Sequence, residues 1–213
     1  MQIKRFTLTD LATNCYVLYN ENDQNTIIID PAEICSELNE FINSRHLKPL
    51  AIWLTHGHFD HIGGVEFLVE SFHVPVYIHQ LDANFLIDEN LNLSSWMGKK
   101  YRFSVPVHLW SNEIETIDSG IGEDVTVINT PGHTDGSVCY YFTNLGWLFS
   151  GDTLFTGSIG RVDLPGGDLN KMNQSLAKLI RMILPKTKIF PGHGINTIFQ
   201  SEQKHNPYLK NLN

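Results

Sequence analysis

The chain has 213 residues, of which 42% are hydrophobic, enough for one buried core and too many for a disordered protein. The formal net charge of −8 argues against nucleic-acid binding, which needs a basic face. Cys15, Cys35 and Cys139 form no C-x-x-C pair, and no apolar run suits a signal peptide or a membrane span. The sequence therefore predicts a cytoplasmic protein with free thiols, without nucleic-acid or membrane partners, in an oligomeric state that it leaves open.

Short apolar runs alternate with segments of helical periodicity in the first half of the chain. The predicted strands are Ile3–Leu8, Cys15–Tyr19, Thr26–Asp30, Ala51–Thr55 and Val74–Ile78. One helix is predicted over Glu33–Arg45, with Pro49 ending the connection to the next strand, and another is marked by Val65, Leu68, Val69 and Phe72. Residues 83–113 show no clear period, which is typical either of a functional loop or lid or of a packed surface excursion.

The second half repeats this order of elements. The predicted strands are Val125–Asn129, Val138–Phe142, Trp147–Ser150 and Lys188–Phe190. Asp168 is a good N-cap for an amphipathic helix that Pro185 stops. The order predicts an α/β fold made of two related halves, with the two sheets facing each other and the helices outside.

Four potential metal ligands lie between His56 and His61, in the order H-x-H-x-D-H, directly after an apolar strand. A turn at a strand end can bring several side chains to one point, and histidine, of which the chain has ten, is the commonest metal ligand. A lone histidine is more often structural, but this cluster predicts a metal site.

Three later strands also end in a sharp turn with a ligand-type residue: His133 in P-G-H, Asp152 in S-G-D and His193 in P-G-H. Each turn alone is unremarkable. With the first cluster, they place five histidines and two aspartates at four strand ends. Because ligand sites form at one edge of such sheets, the sequence predicts one shared site.

Four motifs follow one another along nearly the whole chain: H-x-H-x-D-H at 56–61, P-G-H-T-x-G-S at 131–137, S-G-D-T-L-F at 150–155 and P-G-H-G at 191–194. In order and spacing they resemble the metallo-β-lactamase superfamily. The resemblance implies an αββα sandwich of two mixed sheets flanked by helices, with a one- or two-metal site between the sheets. T-N-C-Y-V at 13–17, G-S-I-G-R at 157–161 and N-P-Y-L at 206–209 resemble the hydroxyacylglutathione hydrolase (glyoxalase II)-like branch.

The resemblance also implies how the ligands are shared between two metal ions. His56, His58 and His133 would bind the first, Asp60, His61 and His193 the second, and Asp152 would bridge both. Imidazole and carboxylate ligands favour two Zn²⁺ ions and are compatible with Fe or Mn. The pattern lacks the cysteine ligand of some β-lactamases, so β-lactam hydrolysis is not expected.

The implied activity is metal-dependent hydrolysis of a thioester or ester. A bridging hydroxide, available because metal coordination lowers the pKa of water to about 7, would attack the carbonyl, with Asp60 and Asp152 as the catalytic carboxylates. A thiolate leaves without strong acid assistance, which favours S-2-hydroxyacylglutathione as substrate. One alternative is a persulfide dioxygenase with a single Fe(II) on His56, His133 and Asp152, and another is a lactonase or other small-ester hydrolase.

The substrate contacts are harder to predict. Full-length glyoxalase II carries a helical C-terminal domain that binds glutathione, whereas residues 1–213 are expected to form a single domain without one. Residues 170–213 carry seven Lys or Arg against one acid, so Lys204 and Lys210, together with Arg161, are candidate contacts for an anionic substrate. His79 and Asp30 are candidate partners of the ligands.

Overall fold

A computed structural model describes residues 1–210 and 212, and its first half forms a six-stranded sheet. The strands lie side by side in chain order: β1 (Gln2–Leu8), β2 (Thr13–Tyr19), β3 (Asn25–Ile29), β4 (Lys48–Trp53), β5 (Val76–His79) and β6 (Val107–Trp110). The pairs β1–β2 and β2–β3 are antiparallel, and the next three pairs are parallel, so the sheet is mixed.

The second half forms another mixed six-stranded sheet, in which the strands lie in reverse chain order. They are β7 (Ile114–Asp118), β8 (Asp124–Asn129), β9 (Val138–Phe142), β10 (Trp147–Gly151), β11 (Lys188–Pro191) and β12 (Thr197–Ile198). Only the β10–β11 pair is parallel, because helix α4 connects those two strands.

Four of the described α-helices lie between strands along the chain, and the last two follow β12. They are α1 (Ser36–Ser44), α2 (Phe59–Ile62), α3 (Val65–Phe72), α4 (Leu169–Met182), α5 (Phe199–His205) and α6 (Pro207–Lys210), with 3-10 helices at Gln80–Leu86 and Ser94–Met97. The predicted N-cap is confirmed, since the Asp168 carboxylate accepts the amides of Asn170 and Lys171 at the start of α4. Among the described residues, no helix combines the length and the apolar composition needed to cross a membrane.

The alternation of side chains along buried strands produces the layers. In β2, Cys15 and Val17 point to a core shared with α1 and α3, while Tyr16 and Leu18 point to the core between the sheets. A third core joins the outer face of the second sheet to α4 and α5. These three cores confirm the predicted sandwich of two mixed sheets with helices outside.

Some predicted boundaries were wrong. Pro49 lies inside β4, where the register with β3 shifts, rather than before the strand. The segment 83–113 is not wholly irregular, because it contains the short strand Val107–Trp110 and a 3-10 helix. Strand Ile114–Asp118 was missed because its residues are exposed or only half-buried and carry little apolar signal.

Candidate metal centre

Seven ligand-type side chains lie together at one edge of the sandwich. Those from the first sheet are His56, His58, Asp60 and His61, and those from the second are His133, Asp152 and His193. The first four follow β4 and continue into α2, whose first turn carries Asp60 and His61 on adjacent positions. The other three follow β8, β10 and β11 in turn. All the predicted ligands are therefore brought to one site.

The first group of ligands consists of His56, His58 and His133. One nitrogen from each ring lies within 4.8 Å of the others, and His58 Nδ1 is 2.8 Å from His133 Nε2. All three side chains are buried. This is the trio predicted for the first metal ion.

Asp60, His61 and His193 form the second group. The Asp60 carboxylate is 3.6 Å from His61 Nε2 and 3.3 Å from His193 Nε2. His193 is the most exposed of the seven, and its side chain is 25% accessible at the mouth of the site. This is the trio predicted for the second metal ion.

Asp152 lies between the two groups. Its Oδ2 is 3.5 Å from His133 Nε2 and 3.5 Å from His193 Nε2, while its Oδ1 is 3.4 Å from His61 Nε2. The carboxylate thus reaches ligands of both groups, as a bridging ligand must.

Unpartnered buried atoms test whether this site fits metal ions. His56 Nε2, His58 Nε2 and Asp152 Oδ1 are buried without a hydrogen-bond partner. A buried polar atom left unpaired costs about 1–3 kcal/mol, so their convergence needs compensation. A divalent cation among imidazole and carboxylate groups would supply it, and the residues present fit one or two such ions.

Asp30, a candidate partner of the ligands in the sequence, contacts His61 of the second group directly and His56 of the first group through Thr55. It has 1% exposure, and its Oδ2 accepts His61 Nδ1 at 2.9 Å. The same carboxylate accepts the amide and the hydroxyl of Thr55, and that hydroxyl lies 3.1 Å from His56 Nδ1. Asp30 thereby fixes the ring orientation of His61 directly and that of His56 through Thr55.

The other ligands have partners that sequence reasoning missed. The Thr13 hydroxyl donates to Asp60 at 3.0 Å. The Nδ1 atoms of His133 and His193 lie 2.8 and 3.0 Å from the carbonyl oxygens of Arg161 and Leu11. Such contacts set which ring nitrogen faces the site, but backbone carbonyls leave no signal in a sequence.

The prediction that His79 supports the ligands was wrong in its choice of residue. Among the described contacts, no hydrogen bond joins His79 to the seven side chains, and its Nδ1 accepts the Leu81 amide instead. The supporting residue is Asp82, which is fully buried and accepts the Gly57 and Gly136 amides and the Thr134 hydroxyl. Burial raises the pKa of Asp82 to about 6 despite these three hydrogen bonds. Asp82 therefore ties the 56–61 loop to the loop that carries His133.

A cavity of about 480 Å³ opens onto five of the seven ligand-type side chains, all except His56 and His61. Its lining is Leu11, His58, Phe59, Asp60, Leu93, Trp96, Met97, His133, Asp152, Phe155, Arg161, Leu164 and His193. Arg161 is thus placed where a substrate would lie. Lys204 and Lys210 lie on α5 and α6, are exposed, and do not line this cavity, so the structure does not support their prediction as substrate contacts.

The two groups differ in proton affinity. Burial, reinforced by the neighbouring His133, lowers the pKa of His58 to about 3, and burial also lowers that of His56. For His193 burial acts in the same direction, but the Asp152 and Asp60 carboxylates outweigh it and raise the pKa to about 9. The pKa of His61 is likewise raised, since Asp60, Asp152 and Asp30 overcome its burial. At neutral pH and without metal, His56 and His58 are therefore largely neutral, whereas His61 and His193 are protonated.

This difference predicts that the two groups load at different pH. A metal ion must displace protons from His61 and His193, so affinity for the second group should fall as the pH drops, and the His193 proton alone should contribute about tenfold per pH unit below about pH 9. The first group displaces no proton from His58 above about pH 3. With free zinc held by a chelator buffer, we expect one bound equivalent at pH 6 and two at pH 8.5, measured by mass spectrometry. Equal occupancy of both groups at both pH values would contradict this assignment.

Curated relatives match the chain from end to end. YqgX of Bacillus subtilis, named a probable metallo-hydrolase, is 36% identical over 211 residues, which cover 98% of each protein. GloC of Haemophilus influenzae, named a hydroxyacylglutathione hydrolase, is 29% identical over 215 residues, again 98% of each. Both lengths agree with that of this chain.

Solved structures show the same fold and lead to the family. BLEG-1, described as a B3 metallo-beta-lactamase, superposes with a TM-score of 0.91 at 41% identity, covering 98% of this chain and 99% of that one. TTHA1623, described in a di-iron-bound form, superposes with a TM-score of 0.83 at 36% identity, covering 97% and 100%. The family model of the metallo-beta-lactamase superfamily matches residues 8–193, which include all seven ligand-type side chains. The resemblance seen in the sequence is thus confirmed, and the chain belongs to the metallo-beta-lactamase superfamily.

Proposed function

We propose that this protein hydrolyses a thioester or an ester, as hydroxyacylglutathione hydrolases do, with two divalent metal ions bound by the seven side chains. The observation that carries the proposal is the position of Asp152, whose two carboxylate oxygens lie 3.4–3.5 Å from ligands of both groups beside an open cavity. A pair of metals sharing one carboxylate activates a water molecule and polarises a substrate carbonyl.

The side chains of the site have distinct tasks in this proposal. His56, His58 and His133 would hold one ion, and Asp60, His61 and His193 the other. The charges of Asp60 and Asp152 would reduce the +4 of two divalent ions to about +2, which leaves excess positive charge to stabilise a developing oxyanion. The same donor atoms suit zinc or iron, and the di-iron form of TTHA1623 supports iron as an alternative to zinc in this site.

S-D-lactoylglutathione is the first substrate to test. The name of GloC, at 29% identity over 98% of both chains, supports it. Thioester hydrolysis also needs the least acid assistance, since a thiolate is a good leaving group.

β-Lactam hydrolysis is a second candidate because of BLEG-1, at 41% identity. The absence of a cysteine ligand led us to expect no such activity from the sequence. Yet BLEG-1, described as a metallo-beta-lactamase, superposes closely on this chain, so a β-lactam belongs in the substrate panel.

The experiment is a substrate panel on protein of known metal content. Zinc-loaded and iron-loaded samples receive S-D-lactoylglutathione, a p-nitrophenyl ester, a lactone, a chromogenic cephalosporin and glutathione persulfide with oxygen. We expect two metal equivalents and hydrolysis of at least one thioester or ester of the panel, with His133→Ala as the inactive reference. One bound iron equivalent together with oxygen consumption would contradict the proposal and indicate a persulfide dioxygenase. Turnover of the cephalosporin alone would contradict it and indicate a β-lactamase.

We further propose a reducing, cytoplasmic location and one domain over residues 1–213. All three cysteines are unpaired, which agrees with a reducing location.

A further inference from the structure

One side of the cavity over the metal site is formed by three apolar side chains, two of which are exposed to solvent. We call Leu93, Trp96 and Met97 the apolar wall. Trp96 is 66% exposed and Met97 52%, although large apolar side chains gain free energy when they are covered. Four further apolar residues complete the lining: Leu11, Phe59, Phe155 and Leu164. Most of the surface that a substrate meets beside the metal ligands is therefore apolar.

The apolar wall is held in place by a buried asparagine. Asn92 is fully buried, and its side-chain amide donates to the carbonyls of Phe85 and Tyr101 at 2.7 and 2.9 Å. Its Oδ1 accepts the Ser94 amide, and its own carbonyl accepts the amide of Phe59, the residue before Asp60. The 3-10 helix that carries Trp96 and Met97 is thus anchored to the ligand loop itself.

The backbone before this 3-10 helix adopts a conformation that costs energy. Leu93 has φ of +67°, a left-handed conformation that non-glycine residues adopt only at a cost of about 1–3 kcal/mol. Leu93 itself is 4% exposed and lines the cavity. Because this turn is strained and anchored, the apolar side chains that it presents form a defined surface rather than part of a loosely held loop.

Apart from the proposed metal ions, the described lining of the cavity offers an anionic substrate no unpaired Lys or Arg side chain. Arg161 is the only Lys or Arg in its described lining, and its guanidinium donates two hydrogen bonds, both 2.8 Å, to the Asp163 carboxylate. In a neighbouring cavity of about 270 Å³, Lys99 is accompanied by Asp10 and Glu33. Neither cavity therefore presents unbalanced positive side-chain charge to the two carboxylates of glutathione.

We infer that the substrate of this site is an uncharged thioester or ester with an apolar acyl chain, which packs against the apolar wall. The inference rests on the proposed hydrolase function and narrows its substrate class. In the reaction the carbon–sulfur or carbon–oxygen bond breaks, and the oxygen of water joins the acyl carbon. The products are a carboxylic acid and a thiol or alcohol.

The test compares acyl chains on one uncharged carrier, N-acetylcysteamine. A fully buried methylene changes affinity about fourfold, so the octanoyl thioester should exceed the acetyl thioester at least about tenfold in kcat/KM. Trp96→Ala should remove most of this preference, because it should lower kcat/KM far more for the octanoyl thioester than for the acetyl thioester. Ile34→Ala is the matched control, because Ile34 is 65% exposed and lies outside this cavity.

A binding measurement separates the substrate class from the reaction. The octyl thioether of N-acetylcysteamine cannot be hydrolysed, and by calorimetry it should bind the unsubstituted protein at least about tenfold more tightly than it binds Trp96→Ala. If the octyl thioether binds but no thioester or ester is hydrolysed, the proposed function is wrong, while the inferred apolar ligand class stands. A flat chain-length profile, or a preference for S-D-lactoylglutathione that Arg161→Ala abolishes, would overturn the apolar substrate and leave the hydrolase standing.

Discussion

The Asp152→Asn variant should lose more than about a hundredfold in kcat/KM and at least one equivalent of bound metal. Loss of an outer contact to a ligand typically costs about 10–100-fold, and Asp152 is proposed to contact both ions itself. Burial alone would raise the pKa of Asp152, but His61, His193 and His133 hold it well below its usual value, so the carboxylate is charged. Asparagine keeps the shape of the side chain and removes that charge. Metal content by mass spectrometry and thioester turnover measure the two effects.

The control for this variant is Asp163→Asn. Asp163 also follows β10, but it is exposed and pairs with Arg161 rather than with a ligand. We expect full metal content, and turnover of an uncharged thioester within about fivefold, because exposed ion pairs contribute about 1 kcal/mol or less. If Asp152→Asn retained two metal equivalents and full activity, the bridging role of Asp152 would be refuted.

The second large effect, on stability and on metal affinity, is expected for the Asp30→Ala variant. Asp30 itself contacts no substrate in our proposal. Its carboxylate accepts three hydrogen bonds, from the Thr55 amide, the Thr55 hydroxyl and His61. Removing it leaves these buried groups unpaired, which should lower the free energy of unfolding by about 3 kcal/mol. Affinity for the more weakly bound metal ion should fall about 10–100-fold because His61 loses its orienting partner.

Asp30→Asn separates the charge from the backbone geometry. Asp30 has φ of +50°, and asparagine tolerates that left-handed conformation whereas alanine does not. We expect Asp30→Asn to recover much of the stability, measured by urea unfolding, and little of the metal affinity, measured by competition with a chelator. Asp118→Asn, at an exposed strand end, serves as the control. Equal metal affinity in Asp30→Asn and the unsubstituted protein would contradict the orienting role.

The clustering of the seven ligand-type side chains could be predicted from the sequence because each of them is marked locally. His133, Asp152 and His193 each follow a buried strand within a short glycine-containing turn, and buried strands of opposing sheets end at a common edge. At Gly192, a side chain would collide with Asp152, so the turn before His193 needs glycine. Ligand, turn and strand are all readable in a few consecutive residues.

Contacts between distant segments could not be predicted in the same way. Asp82 meets Thr134 and Gly136, more than 50 positions later, and nothing near residue 82 marks that encounter. His79 was the more conspicuous residue type but faces elsewhere. The pairing of Arg161 with Asp163 is local, yet only geometry shows that both hydrogen bonds form and that the guanidinium is already engaged.

Each sheet carries only part of the ligand set, four side chains from the first and three from the second. Ions shared between them would act as cross-links between the two halves of the chain, beside the backbone hydrogen bond from Val138 to Thr55 that already joins the halves there. Their binding free energy would then add to the cohesion of the sandwich, since the separated halves offer no complete site. Resistance to unfolding and proteolysis would therefore increase with the supply of metal. A cell that is short of metal would lose the protein as well as its activity.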